Sequence, residues 1–155
     1  MGDIHFRNWE EPEAPQWKED EAIAAPAFPK DEDLIEFYVS ETTSHRFFID
    51  VSTLDVGHDG VVRYVLVVRT GGGATNTSFE GIRCETREYK IYASGRHDGT
   101  WTIAPNSRWH AIENKPVNRY HATLSRYFFC PNGVAIVEVA EGKNALRLGR
   151  HPEAR

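Results

Sequence analysis

One carboxylate in the sequence is placed where it could take part in acid–base chemistry. Glu80 lies in the run TNTSFEGIRC, residues 75–84, which reads as a strand. Because side chains alternate along a strand, Glu80 shares a face with Ile82 and Cys84 and is expected to point toward the core. A buried carboxylate needs a cation, and we predict an ion pair between Glu80 and Arg119. The alternative is a general acid in a hydrolase or nuclease that uses Glu80, Arg83, Arg119 and His121.

Basic and aromatic residues form a second pattern on the opposite side of the same predicted sheet. The strand at residues 61–69 has an apolar face that starts at Val62, so Arg63 and Arg69 point the other way. We call this surface the basic-aromatic face and assign it six residues: Arg63, Arg69, Phe79, Arg83, Lys90 and Tyr92. Interleaved arginine and aromatic side chains bind anions or stack on bases. The alternative is a partly solvated face that the acidic N-terminal segment shields.

The sequence lacks the residue spacing of metal sites, phosphate-binding loops and serine nucleophiles. The seven histidines show no H-x3-H or H-E-x-x-H spacing, so we predict no metal site. The glycine run at residues 71–73 lacks the lysine and the following helix of a phosphate-binding loop. No serine stands in the Gly-x-Ser-x-Gly motif of a nucleophile elbow. We therefore predict no cofactor, and we favour a binding module over an enzyme.

The net charge of −5 is unevenly distributed along the chain. Residues 1–36 hold eleven acidic and three basic side chains, and the remaining chain has a net charge of +3. A value of +3 is low for a domain that binds nucleic acid, which argues against a nucleic-acid partner. No apolar run approaches the roughly 18 residues that a membrane-spanning helix needs, so no transmembrane segment is predicted.

The acidic segment also suggests how the chain is divided. Residues 1–32 are rich in proline and show little periodicity, which predicts an extended arm. The arm carries four large apolar side chains that we expect to dock on the body of the protein: Trp9, Trp17, Ile23 and Phe28. We assign residues 33–150 to a single domain, a length that supports one hydrophobic core, and residues 151–155 to a tail.

The rest of the pattern predicts an α+β fold. From Asp33 onward, short runs of β-branched and aromatic residues are separated by turn residues, which is typical of an antiparallel meander. The runs cover residues 34–40, 46–50, 61–69, 75–84, 88–94 and 101–104, a sheet of about five to six strands. Residues 118–129 show helical spacing, with Asn118 as the cap, and this helix is expected to cover one face of the sheet. Residues 134–148 fit either a strand or a helix, and we favour a strand-like start that leads into a short helix.

The two cysteines allow two interpretations. Cys84 ends a predicted strand and Cys130 ends the predicted helix, so a disulfide between them would join helix to sheet. Closing a loop of roughly 47 residues would stabilise the fold by about 4 kcal/mol in the chain-entropy model. The alternative is two buried, reduced thiols, because cysteine is among the most buried residue types. The residues alone leave both interpretations open.

Four runs of the sequence resemble one known family. They are DEDLIEFYV at residues 31–39, DGVVRY at 59–64, FEGIRC at 79–84, and NRYH at 118–121 ahead of Phe129-Cys130. Together they look like the CNP-one-like family, uncharacterised exported proteins of β-proteobacteria named after a cryptic neisserial protein. The resemblance spans about Trp9 to Leu148, and Glu-Gly-Ile-Arg-Cys is its most specific element. It implies a leader removed before folding, a location in the periplasm or cell envelope and a disulfide between Cys84 and Cys130, and it implies no catalytic residues.

These observations predict a periplasmic or envelope-associated binding module. Its basic-aromatic face would bind an envelope protein or an anionic ligand, and the oligomeric state is left open. Geometry distinguishes this prediction from the alternative hydrolase or nuclease. A pocket in which Glu80 and His121 come within hydrogen-bond distance would favour an enzyme, whereas an open sheet face with Glu80 held by an arginine would favour a binding module.

Overall fold

Eight antiparallel strands form one sheet in the computed structural model, which describes residues 16–116 and 119–155. The strands are β1 (Leu34–Phe37), β2 (Arg46–Asp50), β3 (Asp55–Val56), β4 (Val62–Arg69), β5 (Thr75–Arg83), β6 (Glu88–Gly95), β7 (Trp101–Ile103) and β8 (His110–Ala111). Six of them lie side by side in the order β1-β2-β4-β5-β6-β7, while β3 pairs with β4 and β8 with β6. The predicted meander is confirmed, and the two strands that were not predicted have only two residues each.

The helices follow the sheet in the chain. A single 3-10 turn, Asp31–Asp33, precedes β1, and the main helical region is α1 (Arg119–Leu124), a π-helical turn (Ser125–Phe129), a 3-10 turn (Pro131–Gly133) and α2 (Val139–Leu148). The predicted helix is therefore present from Arg119 to Phe129, and its predicted cap, Asn118, lies outside the described residues. In residues 16–116 and 119–155, no helix is long and apolar enough to cross a membrane.

The segment between the two helical regions differs from the prediction. Residues 134–138 form no strand, although VAIVEV has the composition of one. The N–H of Ile136 donates to the carbonyl of Phe129, so the segment folds back on the helical turn instead of pairing with the sheet. Val134 and Val137 are exposed, and Ile136 alone among these three is buried. The helical part of the prediction is found in α2.

The main core lies between the helical region and one face of the sheet. The ring of Phe128 is 5.8 Å from that of Phe37 in β1, and the ring of Phe129 is 5.4 Å from that of Tyr64 in β4. Helix α2 packs closely on the same core at Gly142. A Cβ atom there would lie 2.8 Å from the side chain of Ile136, which explains a glycine inside a helix.

Residues 16–30 cross the second face of the sheet without regular secondary structure. Ile23 packs against a small buried cluster on this face. Its members are Val65, Phe79 and Ala93. The ring of Phe28 is 5.1 Å from that of Trp101, whose indole nitrogen donates to the carbonyl of Pro26 at 2.9 Å. Ile23 and Phe28 are thus docked as predicted for the arm, and Trp9 lies outside the described residues.

A disulfide ties the two layers together. Cys84, directly after β5, is bonded to Cys130, directly after the π-helical turn, with the two Cα atoms 5.5 Å apart. The predicted pairing is confirmed. At the other end of the helical layer, His151 is buried and its Nε2 lies 2.7 Å from Glu141 of α2, so residues after 150 contact the helices.

Candidate functional site

Three donors on the basic-aromatic face surround the carboxylate of Glu19. Lys90 Nζ donates to Oε1 at 2.8 Å, Arg63 Nη2 donates to Oε2 at 3.0 Å, and the Tyr92 hydroxyl also donates to Oε2. We call these three residues the Glu19 cradle. A bulge shapes it: the pairing of β5 with β6 shifts between Phe79 and Glu80, which leaves Tyr92 as the extra residue of β6.

The charges in the cradle balance. Arg63 Nη2 also lies 2.6 Å from Asp59 Oδ2, and these two side chains are 4% and 0% exposed. Two carboxylates therefore face two cations, Arg63 and Lys90. Burial acts to raise the pKa of Glu19, but hydrogen bonds from Lys90, Tyr92 and Arg63 outweigh it and hold the pKa below its ordinary value. Burial, followed by the hydrogen bond to Glu19, raises the pKa of Tyr92, so this phenol is a neutral donor.

Aromatic contacts extend the covered surface on both sides of the cradle. The guanidinium of Arg83 lies 3.7 Å from the ring centre of Trp17, whose indole nitrogen donates to the carbonyl of Asp59 at 2.8 Å. The ring of Phe79 is 5.1 Å from that of Tyr92, and Phe79 is buried. Trp17 and its neighbours in the arm therefore cover this part of the face.

Arg69 lies away from the cradle, at the far end of β4. Its guanidinium is 4.7 Å from the ring centre of Phe48, and Nη2 is 3.3 Å from Asp31. The carboxylate of Asp31 is almost fully exposed, so this pair is held loosely. Of the six residues assigned to the basic-aromatic face, five meet under the arm, and Arg69 is separate from them.

A second polar centre lies on the core face of the sheet. Glu80 is 1% exposed and accepts a hydrogen bond from the Tyr64 hydroxyl at 2.8 Å and another from Ser78 Oγ at 2.7 Å. His121 Nε2 lies 2.8 Å from the same oxygen that Tyr64 contacts. Burial and the negative charge of Glu80 raise the pKa of Tyr64 well above its ordinary value, so Tyr64 donates as a neutral phenol.

The ion pair predicted between Glu80 and Arg119 is replaced by the contact between Glu80 and His121. Arg119 Nη1 donates to Ser40 Oγ at 3.3 Å instead. The reason is the phase of α1: Arg119 is the first residue of the helix and is half-buried, whereas His121, two residues later, is 1% exposed and faces the sheet. The helix therefore brings a histidine to the carboxylate.

A cavity of about 310 Å³ opens beside Glu80. Its walls combine apolar side chains with hydroxyl, amide and guanidinium groups, a mixture that is typical of small-ligand sites. Glu80, Ser78 and Arg119 all line it. Of the four residues in the alternative enzyme, Glu80, His121 and Arg119 are thus close together, and Arg83 is on the opposite face under Trp17.

His121 is held between two aromatic rings. Its ring lies 3.7 Å from that of Tyr89, nearly parallel at 12°, and 4.1 Å from that of Tyr120. Its Nδ1 is buried and has no hydrogen-bond partner within the described part of the chain. In residues 16–116 and 119–155, no group of three or more histidine, cysteine, aspartate or glutamate side chains is placed to hold a metal ion.

Apart from His121, which the alternative enzyme included, the partners of both centres were missing from the sequence-based assignment. Glu19 and Asp59 complete the cradle, and Tyr64 and Ser78 complete the network at Glu80. Two signals were available for the network: Ser78 lies two residues before Glu80 on one strand face, and Tyr64 is its cross-strand neighbour in the β4–β5 register. For Glu19 the only signal was the acidic excess of the arm.

The chain belongs to the CNP1-like family, which it matches over residues 12–147. This is the family that the sequence motifs resemble. Comparison with curated proteins finds no match, and comparison with solved structures finds none either.

Proposed function

We propose that this CNP1-like protein is a binding module of the periplasm or cell envelope whose basic-aromatic face binds an acidic, extended segment of a partner protein. The observation that carries the proposal is the Glu19 cradle. Arg63, Lys90 and Tyr92 together receive one carboxylate that an extended chain presents. The arm supplies that carboxylate here, and a partner segment would take the arm's place.

The apolar contacts of the arm define the chemistry of the partner further. Glu19 fills the cradle, Ile23 packs on the small cluster around Phe79, and Phe28 contacts Trp101. A matching segment would carry an acidic residue, an aliphatic residue four positions later and an aromatic residue nine positions later. Main-chain acceptors near the aromatic residue would replace Pro26 as the partner of the Trp101 indole.

The location in the proposal is supported by the disulfide. Bonds such as Cys84–Cys130 persist in oxidising compartments, including the bacterial periplasm, and are rare in the cytosol. A partner protein in the envelope would be in the same oxidising compartment, where its own cysteines would also be disulfide-bonded.

A labelled peptide of residues 16–30 tests the proposed binding. The tethered arm competes at an effective concentration on the order of millimolar, so the wild-type chain should bind the peptide weakly. The full-length Glu19→Gln variant loses charge-assisted hydrogen bonds in its own arm and should bind the peptide about tenfold more tightly. Fluorescence anisotropy measures both affinities.

The matched control is the same peptide with Glu19→Gln, which should lose most of the gain. Lys90→Ala in the Glu19→Gln background should also weaken binding of the unmodified peptide, because it removes one donor of the cradle. Equal peptide affinity in the wild type and the Glu19→Gln protein would overturn the proposal.

A hydrolase or nuclease is a second candidate, because Glu80 and His121 come within 2.8 Å of each other, which is the contact expected of an enzyme. It ranks second because Glu80 lines the adjoining cavity but His121 does not, and because Arg83 lies on the opposite face under Trp17. If this candidate is right, the purified chain should hydrolyse nitrophenyl esters or single-stranded DNA, and Glu80→Gln should abolish that activity with the circular dichroism spectrum unchanged. Activity that survives in Glu80→Gln would come from another source.

A further inference from the structure

Two adjoining cavities beside α1 are lined by arginines. Their volumes are about 270 and 330 Å³, and both are lined by Arg87, Ala122 and Arg126. Arg119 lines the larger cavity, and the disulfide cysteines line the smaller. We call the two cavities together the arginine groove. No aspartate or glutamate of the described residues lines either of them.

The positive charge of the arginine groove is not balanced as that of the cradle is. Arg126 Nε donates to the main-chain oxygen of Arg155 at 3.0 Å, and Arg119 donates to the Ser40 hydroxyl. Neither contact is with a carboxylate side chain. Arg155 itself lines the smaller cavity, so the groove gathers four arginines with no aspartate or glutamate of the described residues in its walls. In a chain with a net charge of −5 this is a distinct electrostatic feature.

The backbone at Arg87 points to a use for this side chain. Arg87 has a φ of 55°, in the left-handed region that costs a residue with a Cβ about 1 kcal/mol or more. Its N–H donates to the carbonyl of Cys84, so the turn follows directly on the disulfide. Glycine or asparagine would hold this turn with less strain. The arginine at this position lines both cavities.

We propose that the arginine groove binds a small molecule that carries two or more phosphate groups. Guanidinium groups match phosphate oxygens with paired donors, and several of them in one groove suit a ligand with several negative charges. The remaining polar lining fits the same ligand, because Asn114, Ser125 and Asn132 can donate to further phosphate oxygens. Each cavity has room for a phosphate group and its linkage.

Isothermal titration of the full-length, oxidised chain with tripolyphosphate tests this site. The wild type should show saturable binding at one site. Arg87→Gly removes a guanidinium and suits the left-handed turn, and Arg126→Ala removes one from an exposed position, so both variants should fold. Each substitution should weaken binding by about tenfold.

Arg147→Ala is the matched control, because Arg147 is exposed on α2 and lines neither cavity. Its affinity for tripolyphosphate should stay within about twofold of the wild type, since it changes the net charge and leaves the groove intact. An equal loss in Arg147→Ala, or no saturable binding by the wild type, would overturn the proposal. Binding of citrate as tight as that of tripolyphosphate would overturn the assignment to phosphate.

Two sources share this chemistry, a soluble oligophosphate and the phosphate-rich headgroup of a lipid. Sedimentation with vesicles of phosphatidylglycerol and cardiolipin separates them. Vesicle binding that tripolyphosphate displaces supports a headgroup, and tripolyphosphate binding without vesicle binding supports a soluble ligand. Vesicle binding that tripolyphosphate does not displace counts against the groove. Adding Arg126→Ala to the Glu19→Gln protein should leave its affinity for the peptide of residues 16–30 unchanged, because Arg126 makes no contact in the Glu19 cradle. This proposal therefore fails or stands separately from the binding of an acidic segment.

Discussion

Two groups of cationic side chains in this protein share the same chemistry and differ in their surroundings. In the Glu19 cradle, Arg63 is almost fully buried and faces two carboxylates. In the arginine groove, Arg87 and Arg126 are exposed and no acidic side chain of the described residues joins them in lining it. The cradle is therefore a closed, neutral contact that holds the arm, whereas the groove keeps its charge available to a ligand. The comparison shows that the partner and burial of an arginine decide its role.

The sharpest way to break this comparison is to remove one arginine from each group. Arg63→Met should lower the free energy of unfolding by about 3–5 kcal/mol, because it leaves the buried carboxylate of Asp59 without its cation and leaves Glu19 with Lys90 alone. Arg87→Gly should change it by less than about 1 kcal/mol, because relief of the left-handed strain is offset by the greater freedom of glycine in the unfolded chain. Urea denaturation measures both. Similar losses for the two variants would show that the two groups do not differ in this way.

Removal of the disulfide should loosen the helical region beside the arginine groove before it affects the region under the arm. Cys84→Ser combined with Cys130→Ser should lower the free energy of unfolding by about 2–5 kcal/mol, the usual range for a small secreted domain. Hydrogen exchange should speed up first in residues 119–129, which the bond ties to the sheet, and later where the arm crosses β4 and β6. The oxidised protein, denatured without reductant, should show no reactive thiol. Two alkylatable thiols in that sample would contradict the pairing.

Acid should weaken the contact of Glu19 with the cradle, because it protonates the carboxylate, and should leave the arginines of the groove charged. Because the pKa of folded Glu19 is below its ordinary value of 4.5, its contribution to stability is fully present above about pH 4.5 and is lost as the pH falls through the folded pKa. At pH 7, Glu19→Gln should cost about 1.5–3 kcal/mol, the range for hydrogen bonds to a charged group. Urea denaturation of the wild type and of Glu19→Gln between pH 3 and 7 measures how the difference in their free energies of unfolding changes with pH. A gap that stays constant down to pH 3 would argue against the cradle as the source.

The exposed ion pair between Arg46 and Glu36 lies between these two groups in character, because its arginine has a carboxylate partner but is not buried. Arg46 is 2.7 Å from Glu36, and the two side chains are 60% and 45% exposed. A double-mutant cycle with Arg46→Ala and Glu36→Ala should give a coupling of about 0.2–1 kcal/mol, which weakens further in high salt. A coupling as large as the loss in Arg63→Met would mean that pairing alone, without burial, sets the strength of these contacts.

The strands were predictable because their pattern is local. In β4, β-branched, aromatic and leucine residues fill every position except Arg63 and Arg69, and this run identifies the strand. The period of two then assigned its side chains to the two faces of the sheet. The same rule failed at residues 134–138, since a short apolar run fits a strand and a buried connection equally well. There the hydrogen bond from Ile136 to Phe129, which composition does not reveal, decides the structure.

The partners of the functional side chains were harder to predict, because they depend on long-range geometry. The sequence placed Glu80 on the core face, but whether Arg119 or His121 reaches it depends on the rotation of α1 about its axis. Glu19 and Arg63 are 44 positions apart, and nothing local links them. Arg87 and Arg126 were not predicted as a pair, since they come to one groove only where the π-helical turn lies beside the turn after β5.

The path of the arm has a consequence for the order in which the protein folds. Glu19 is hydrogen-bonded to Lys90, 71 positions later in the chain, and Pro26 is hydrogen-bonded to Trp101, 75 positions later. The N-terminal arm is thus the segment whose docking site is completed late, after β6 and β7 have joined the sheet. Because such distant contacts must follow the closing of long loops, the arm should dock late in the sequence of folding events.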